Sequence, residues 1–430
     1  MRHLLAILAA LAMSVSAIAQ QSLQEEFRKN PSRSASNSVI YPGPVQKKLT
    51  AAPKGKKPFY LSHYGRHGSR YLTKTKDYGY LLNTLGKAQQ ENKLTPLGCD
   101  VLKRVTILAQ EAQNRWGDLT PLGGQQMQEI SHRMAKNFPE IFKKKNVHVD
   151  ARSTVVGRCM LSMSYAILQL ARENPKLNIT TEANQCDMYY MFPQDKKLTE
   201  LARSEQSIQA YESHRLKHSH WNRLLSSLFN DTAYVRKNIK DIEFNYFLFR
   251  MAGSIQNTEL RDKITLYDIY TPDEIMENWI IDNAWWYIGF GPAPQSSGNQ
   301  PFIQRPLLRK IIEQADSCIA LPSPNVHLRF GHDTMVLPLV CLMGINGYDQ
   351  QITNLDSLGA KGWINHYIFP MAGNLQLVFY RKNAKDRDVI VKVLVNENEA
   401  TLPVKTDMAP YYHWKDVREY LLEKLASYQE

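Results

Sequence analysis

The sequence predicts an α/β fold, a mixed sheet flanked by helices, carrying an inserted and mainly helical cap domain. Three observations support this. Strand-like and helix-like stretches alternate near both ends of the 430-residue chain. From about Asp195 to Asn283 helical patterns dominate. That middle stretch closes in the Gly/Pro/Ser-rich string GFGPAPQSSGNQP, a boundary signal. The expected organisation is therefore an α/β core from residues 58–194 and 301–430, with residues 195–300 as the cap. A 43% hydrophobic and 22% charged composition is that of a globular chain and excludes a disordered or fibrous one.

The elements follow in order. Arg2 and His3 precede an apolar run from Leu4 to Met13, and Ala17-Ile18-Ala19 places small residues two apart. This is the layout of a signal peptide over residues 1–19, so the mature chain is expected to be exported, periplasmic or extracellular. No later apolar run reaches membrane-spanning length, so no integral membrane segment is expected in the mature chain. Residues 20–57 are polar and read as a leader or surface arm. A strand runs from Pro58 to Tyr64 and ends at Gly65. Helices over 95–112 and 120–138 each open with Thr-Pro, a cap followed by proline in the first turn. The string LTPLG thus occurs twice, at 94–98 and 119–123. A short strand is expected at 146–149, then a helix from about Val155 to Leu170 capped by Ser153 or Thr154. Strand 177–181 precedes the helical middle. Beyond it come a helix at 304–320, a strand at 325–330 ending at Gly331, and a helix near Thr334. Late strands at 374–381 and 389–395 form a β pair, and the last helix covers 414–425.

Five cysteines are present, so at least one stays unpaired or pairs with another chain. Their spacing suits no zinc ribbon. The net charge is +12, and +11 without the signal segment, which removes Arg2 and no acid. Residues 41–150 hold 19 Lys/Arg against 8 Asp/Glu, whereas 195–300 hold 12 against 14. A basic half facing a neutral half is a field for anionic ligands. By charge alone a phosphorylated small molecule, nucleic acid and an anionic membrane all fit.

The strand ends discriminate among these. Three strand–loop–helix junctions carry charged groups where ligands bind in open α/β sheets. The first supplies Arg66, His67 and Arg70, the second Arg152, the third His332 and Asp333. Phosphoryl transfer from a monoester needs a nucleophile, positive charge around the phosphoryl oxygens and an acid for the leaving alcohol. Arginine forks suit the second role, so Arg66, Arg70 and Arg152 are the expected phosphate ligands, with His332 as a further donor. His67 lies between two arginines, which favour its neutral, nucleophilic form. Asp333 is the expected proton donor, its pKa raised by the incoming phosphate dianion. This chemistry needs no metal and no cofactor. It makes the partner an anionic phosphorylated small molecule and not nucleic acid.

These residues resemble the histidine acid phosphatases, the second branch of the histidine phosphatase superfamily. The R-H-G-x-R motif is matched by Arg66 to Arg70. A string like R-S-T-x-x-R-x-x-x-S is matched by Arg152-Ser153-Thr154, Arg158 and Ser162. L-T-x-x-G-x-x-Q is matched by Leu119-Thr120, Gly123 and Gln126, and H-D-T by His332-Asp333-Thr334. The resemblance spans about 58 to 380. It implies an α/β core with a helical cap, a phosphohistidine at His67, Asp333 as proton donor, no metal and acid-leaning activity. RHGSRY is most similar to multiple inositol polyphosphate phosphatases, which typically carry H-A-E at the late motif where this chain has H-D-T. The family's proline after the motif arginine is replaced by Tyr71-Leu72. Inositol polyphosphates are thus the first substrate class expected, a broad-specificity acid phosphatase the second. An exported polyanion-binding protein without catalysis is the alternative of another class.

Two further features stand out. His214, His218 and His220 have metal-like spacing on one helix face, but no carboxylate or cysteine is expected to complete the set, so exposed helical histidines are expected. Trp285-Trp286-Tyr287 is expected to pack between cap and core.

Overall fold

The computed structural model describes residues 22–428. Residues 1–19, read from the sequence as a signal peptide, lie outside the described residues. Eight strands form one sheet: β1 (Lys57–Arg66), β2 (His148–Ser153), β3 (Asn178–Glu182), β4 (Asn325–Gly331), β5 (Asn374–Arg381), β6 (Ile390–Val395), β7 (Asn398–Glu399) and β8 (Tyr411–His413). Their order is β3-β2-β4-β1-β5-β6-β7, with β8 also paired to β6. The β3-β2-β4-β1 half is parallel and the β1-β5-β6 half antiparallel, so the sheet is mixed as expected.

Alternation along β1 sets up two cores. Tyr60 and Tyr64 point to one face and Leu61 to the other. The first face is covered by helices whose labels are α8 (Arg305–Ile319), α9 (Asp333–Leu342) and α10 (Trp414–Ala426). The second is covered by α3 (Pro121–Asn137) and α4 (Gly157–Glu173).

A third apolar cluster forms the cap. It joins α1 (Thr75–Gln90) and α2 (Pro96–Glu111) to residues 224–279, which include α6 (Asp241–Ser254) and the N-terminal part of α7 (Pro272–Phe290). Helix α5 (Glu205–Lys217) packs beside α7. Residues 75–111, placed with the core by the sequence reading, therefore pack with the cap helices. The end of α7 does the reverse: Ala284, Trp286, Tyr287 and Ile288 belong to the core cluster. Among the described residues no helix is long and apolar enough to cross a membrane.

Residues 22–41 are not part of a surface arm, whereas none of residues 42–55 is buried. Residues 22–29 are helical, with Leu23 and Phe27 buried and Phe27 packed on Trp279 at a ring separation of 5.6 Å. Two 3-10 turns, Pro31–Ser34 and Ser36–Ser38, follow. Their polar side chains deceive a reading by composition, because buried partners satisfy them. Asn365 Nδ2 donates to Ser36 Oγ (2.8 Å), and Asn257 Nδ2 donates to the Ser38 carbonyl (2.7 Å).

Candidate active site

Arg66 pairs with Gly331 across β1 and β4, and Ser153 with Phe330 across β2 and β4, so three strand ends lie flush. This is the ligand-binding edge of an open α/β sheet. The backbone N–H groups of Arg66 and His67 donate to the carbonyls of Gly373 (2.8 Å) and Gly331 (2.9 Å), and that of Ala372 donates to the His67 carbonyl (3.0 Å). The loop after β1 is thereby fixed from both neighbouring strands.

Helix α3 grips the same loop from behind. Ser69 N–H donates to Gln126 Oε1 (2.9 Å), and the Thr120 N–H and hydroxyl both donate to the Ser69 carbonyl (2.9 and 3.1 Å). A Cβ on Gly68 would stand 2.3 Å from the Gly123 carbonyl oxygen, and one on Gly123 would stand 2.3 Å from the Ser69 carbonyl oxygen. Only hydrogen fits at either position.

The earlier LTPLG copy makes the same grip elsewhere. Leu94 bridges Phe229 as Leu119 bridges Arg70. Thr95 N–H donates to the Leu228 carbonyl (3.0 Å), against which a Cβ on Gly98 would stand at 2.1 Å. The repeated string is one docking device used twice, once on the cap helix Asn222–Leu228 and once on the His67 loop.

His67 is buried. Its Nδ1 lies 2.9 Å from the Gly68 carbonyl oxygen. A carbonyl only accepts, so Nδ1 carries the proton and the neutral ring keeps its lone pair on Nε2. Burial, then the charges of Arg66, Arg158 and Arg70, hold the ring well below the usual histidine pKa. The result is a neutral imidazole with a free nucleophilic nitrogen.

The structure brings together five of the six expected site residues, Arg66, His67, Arg70, His332 and Asp333, and leaves out Arg152. Strand β2 extends to Ser153, beyond the expected end at Val149, so Arg152 is a strand residue and not a loop residue. It shares a face with Asp150 and is held by Asp150 (3.0 Å), Glu182 (2.5 Å) and Asp187 (2.6 Å). Three carboxylates neutralise it and make it a staple between β2, β3 and the segment after β3. The arginine that acts on the site is Arg158, in the first turn of α4. Its charge presses on His67, His332, Arg66 and Arg70. The Nε atoms of Arg66, Arg70 and Arg158 are buried without hydrogen-bond partners, donors suited to a bound anion.

Asp333 opens α9. Its Oδ2 lies 2.9 Å from Arg66 Nη2 and accepts from Asn37 Nδ2 (3.1 Å), while Oδ1 accepts from Thr334 N–H (2.9 Å). Burial raises this carboxyl, but Arg66, Arg70, His332 and the Asn37 hydrogen bond outweigh it and hold it down at about 2. His332 stands edge-on to His67, ring centroids 5.8 Å apart, with Nε2 3.2 Å from Thr154 Oγ1. Neither Ser153 nor Thr154 caps α4; the Thr154 hydroxyl serves His332 instead. Burial, followed by Arg158, lowers His332 to about 4.

Beside these groups opens a cavity of about 720 Å³ whose wall includes Asn37, Arg70 and Asp333 on one side and Arg215, Arg250 and Trp285 from the cap on the other. Trp285 is exposed to the cavity, whereas Trp286 packs on Phe369 (4.5 Å) and Tyr287 on Trp363 (4.8 Å). Asn37 and Arg250 had no local sequence signal, since only tertiary packing carries the polar N-terminal segment and the cap helix α6 to the site.

A sequence profile of the histidine phosphatase superfamily (branch 2) matches residues 65–396. Multiple inositol polyphosphate phosphatase 1 of Homo sapiens is 25% identical over 335 residues, covering 73% of this chain and 67% of the human one. Among solved structures, the Bifidobacterium longum multiple inositol polyphosphate phosphatase in complex with inositol hexasulfate superposes with a TM-score of 0.76 at 17% identity, covering 90% of this chain and 97% of that one. The phytase from D. castellii gives a TM-score of 0.68 at 14% identity, over 93% and 86% of the two chains. These two similarities speak to the fold.

Proposed function

The chain belongs to branch 2 of the histidine phosphatase superfamily, an enzyme family of phosphate monoester hydrolases, and from that premise we propose that it hydrolyses inositol polyphosphates through a phosphohistidine at His67. The observation that carries this reading is the His67 Nδ1 contact with the Gly68 carbonyl, which leaves Nε2 as the nucleophile among three arginines. Nε2 attacks phosphorus and the P–O bond to the alcohol breaks. Arg66, Arg70 and Arg158 take up the charge of the phosphoryl oxygens, with His332 as a further donor. Asp333 protonates the departing alkoxide. The incoming phosphate offsets the guanidinium charges that hold this carboxyl down, so its pKa rises when the acid is needed. Water then attacks the phosphohistidine, gives its proton to Asp333 and releases inorganic phosphate.

The substrate class rests on the human relative, on the RHGSRY string and on the basic excess of residues 41–150. A second reading, a broad-specificity acid phosphatase, draws on the cavity wall. Glu212, Glu243 and Asp282 line it with Trp285, and these carboxylates oppose a densely anionic ring.

Alkali-quenched turnover with ³²P-labelled phytate and with a labelled aryl phosphate tests both readings. A base-stable, acid-labile protein-bound label in wild type that is absent from His67→Ala supports the phosphohistidine; equal label in both removes it. A kcat/KM for phytate at or above that for the aryl phosphate supports the inositol reading, and the reverse order supports the broader one.

A further inference from the structure

The two histidines one turn apart at the end of α5 find in the tertiary structure the carboxylate that the sequence does not place beside them. Asp356, in the turn Leu355–Ser357, brings Oδ1 to 2.8 Å from His218 Nε2 and 3.4 Å from His214 Nδ1. These ligand atoms all lie within 4.8 Å of one another. Tetrahedral zinc with bonds of about 2.0–2.2 Å to N and O sets its ligand atoms roughly 3.3–3.5 Å apart, so the cluster needs little movement to close on an ion. The other nitrogen of His218, Nδ1, is paired with Glu277 of α7, the carboxylate–histidine arrangement that orients metal-ligating imidazoles. The His214 ring is 7% exposed; its Nε2 has no hydrogen-bond partner, and its Nδ1 approaches Asp356 only at ion-pair distance. Lys217 Nζ pairs with the other Asp356 oxygen, Oδ2, and leaves Oδ1 to the imidazoles. His220 is exposed and belongs to no such cluster among the described residues.

We propose that His214 Nδ1, His218 Nε2 and Asp356 Oδ1 form a binding site for a divalent zinc-like ion in the cap, with solvent in the fourth position and Glu277 as the outer partner of His218. Two imidazoles and a carboxylate suit zinc among the common divalent ions. The ion joins α5 to the Leu355–Ser357 turn and, through Glu277, to α7. Helix α5 also carries Tyr211, Glu212 and Arg215 to the cavity wall, so the ion fixes one side of the cavity without touching the His67 chemistry.

The test uses the full chain stripped with chelator, then titrated with Zn²⁺ by calorimetry and with Co²⁺ by visible absorption. The expected result is one ion per chain, d–d bands of a nitrogen/oxygen site, and a rise in Tm with Zn²⁺. His214→Ala/His218→Ala is expected to weaken binding at least tenfold while aryl phosphate turnover, which reports folding, is kept; His220→Ala binds as wild type. Should the double variant lose turnover, the wild-type Co²⁺ spectrum decides. No saturable binding in wild type, equal affinity in the folded double variant, or an intense near-ultraviolet thiolate band, which would place the ion on free cysteines such as Cys99 and Cys186, overturns the proposal.

Discussion

Asp333 Oδ2 sits 2.9 Å from Arg66 Nη2, so the group assigned to donate a proton is ion-paired with a phosphate-binding cation. In the proposed mechanism a phosphate dianion competes for Arg66 and so favours the protonated carboxyl. Asp333→Asn removes the proton donor and keeps the shape. For alkyl and inositol phosphates, whose leaving groups need protonation, kcat is expected to fall about 10²–10⁴-fold. For p-nitrophenyl phosphate, whose leaving group departs unprotonated, the loss is expected to stay within about tenfold. Parallel kcat measurements on the two substrate types check this; equal losses would move the acid role to another residue.

The same pairing sets a stability window. Asp333 is held at about 2 in the folded protein, below its ordinary value of 3.8. Its contribution is therefore complete above about pH 4 and is lost as pH falls toward 2. Asp333→Asn should flatten the Tm–pH profile in that window and leave the slope above pH 5 unchanged.

Buried histidines act higher on the pH scale. Burial holds His63 and His327 at about 3 and His332 at about 4, against an ordinary 6.5. Their pKa values are depressed, so stability is full above 6.5 and declines below it, as the unfolded chain takes up protons that the native one refuses. Each contributes about 1.4 kcal/mol per pH unit to the slope between its two pKa values. His63→Gln is expected to reduce the slope of unfolding free energy near pH 5 by about that amount, measured by urea melts at pH 4.5 and 5.5. Burial and the charges of Arg66, Arg158 and Arg70 hold His67 well below the ordinary histidine value, so this ring should give kcat/KM no acid limb near pH 6.5.

Arg152 and Arg158 separate structure from catalysis. Arg158→Ala removes a cation that faces His67 and should lower kcat/KM at least 10²-fold. Arg152→Ala leaves three carboxylates facing one another at a partly exposed position. It should cost about 1–2 kcal/mol of stability with kinetic constants within roughly twofold of wild type. Denaturant melts beside steady-state kinetics decide; a large kinetic loss in Arg152→Ala would restore it to the site.

The two LTPLG copies offer a matched pair. Gly123→Ala pushes a methyl onto the Ser69 carbonyl and should move the His67 loop, with kcat down about 10²-fold or more. Gly98→Ala meets the Leu228 carbonyl in the cap instead. It should lower stability by about 1–3 kcal/mol and leave kcat on an aryl phosphate near wild type.

The mixed α/β architecture, the two Thr-Pro helix starts, the late strands, and five of the residues that the structure gathers at the strand ends were legible in the chain by itself. Each rests on local chemistry: a cap, a proline, a period of two, or a motif contiguous in sequence. Residues 20–57 read as a surface arm, yet 22–41 pack inward, because a polar side chain in sequence does not reveal whether water or a buried partner will satisfy it. Arg152 reads as a loop residue because the expected strand ends at Val149, and four further strand residues carry it onto a face with three acids. Asn37 and Arg250, and Asp356 beside His214 and His218, come from segments far apart in the chain. Residue types and local periodicity determined which side chains can do the chemistry. Packing of distant segments decided which of them meet, because burial and charge depend on neighbours that no local stretch contains.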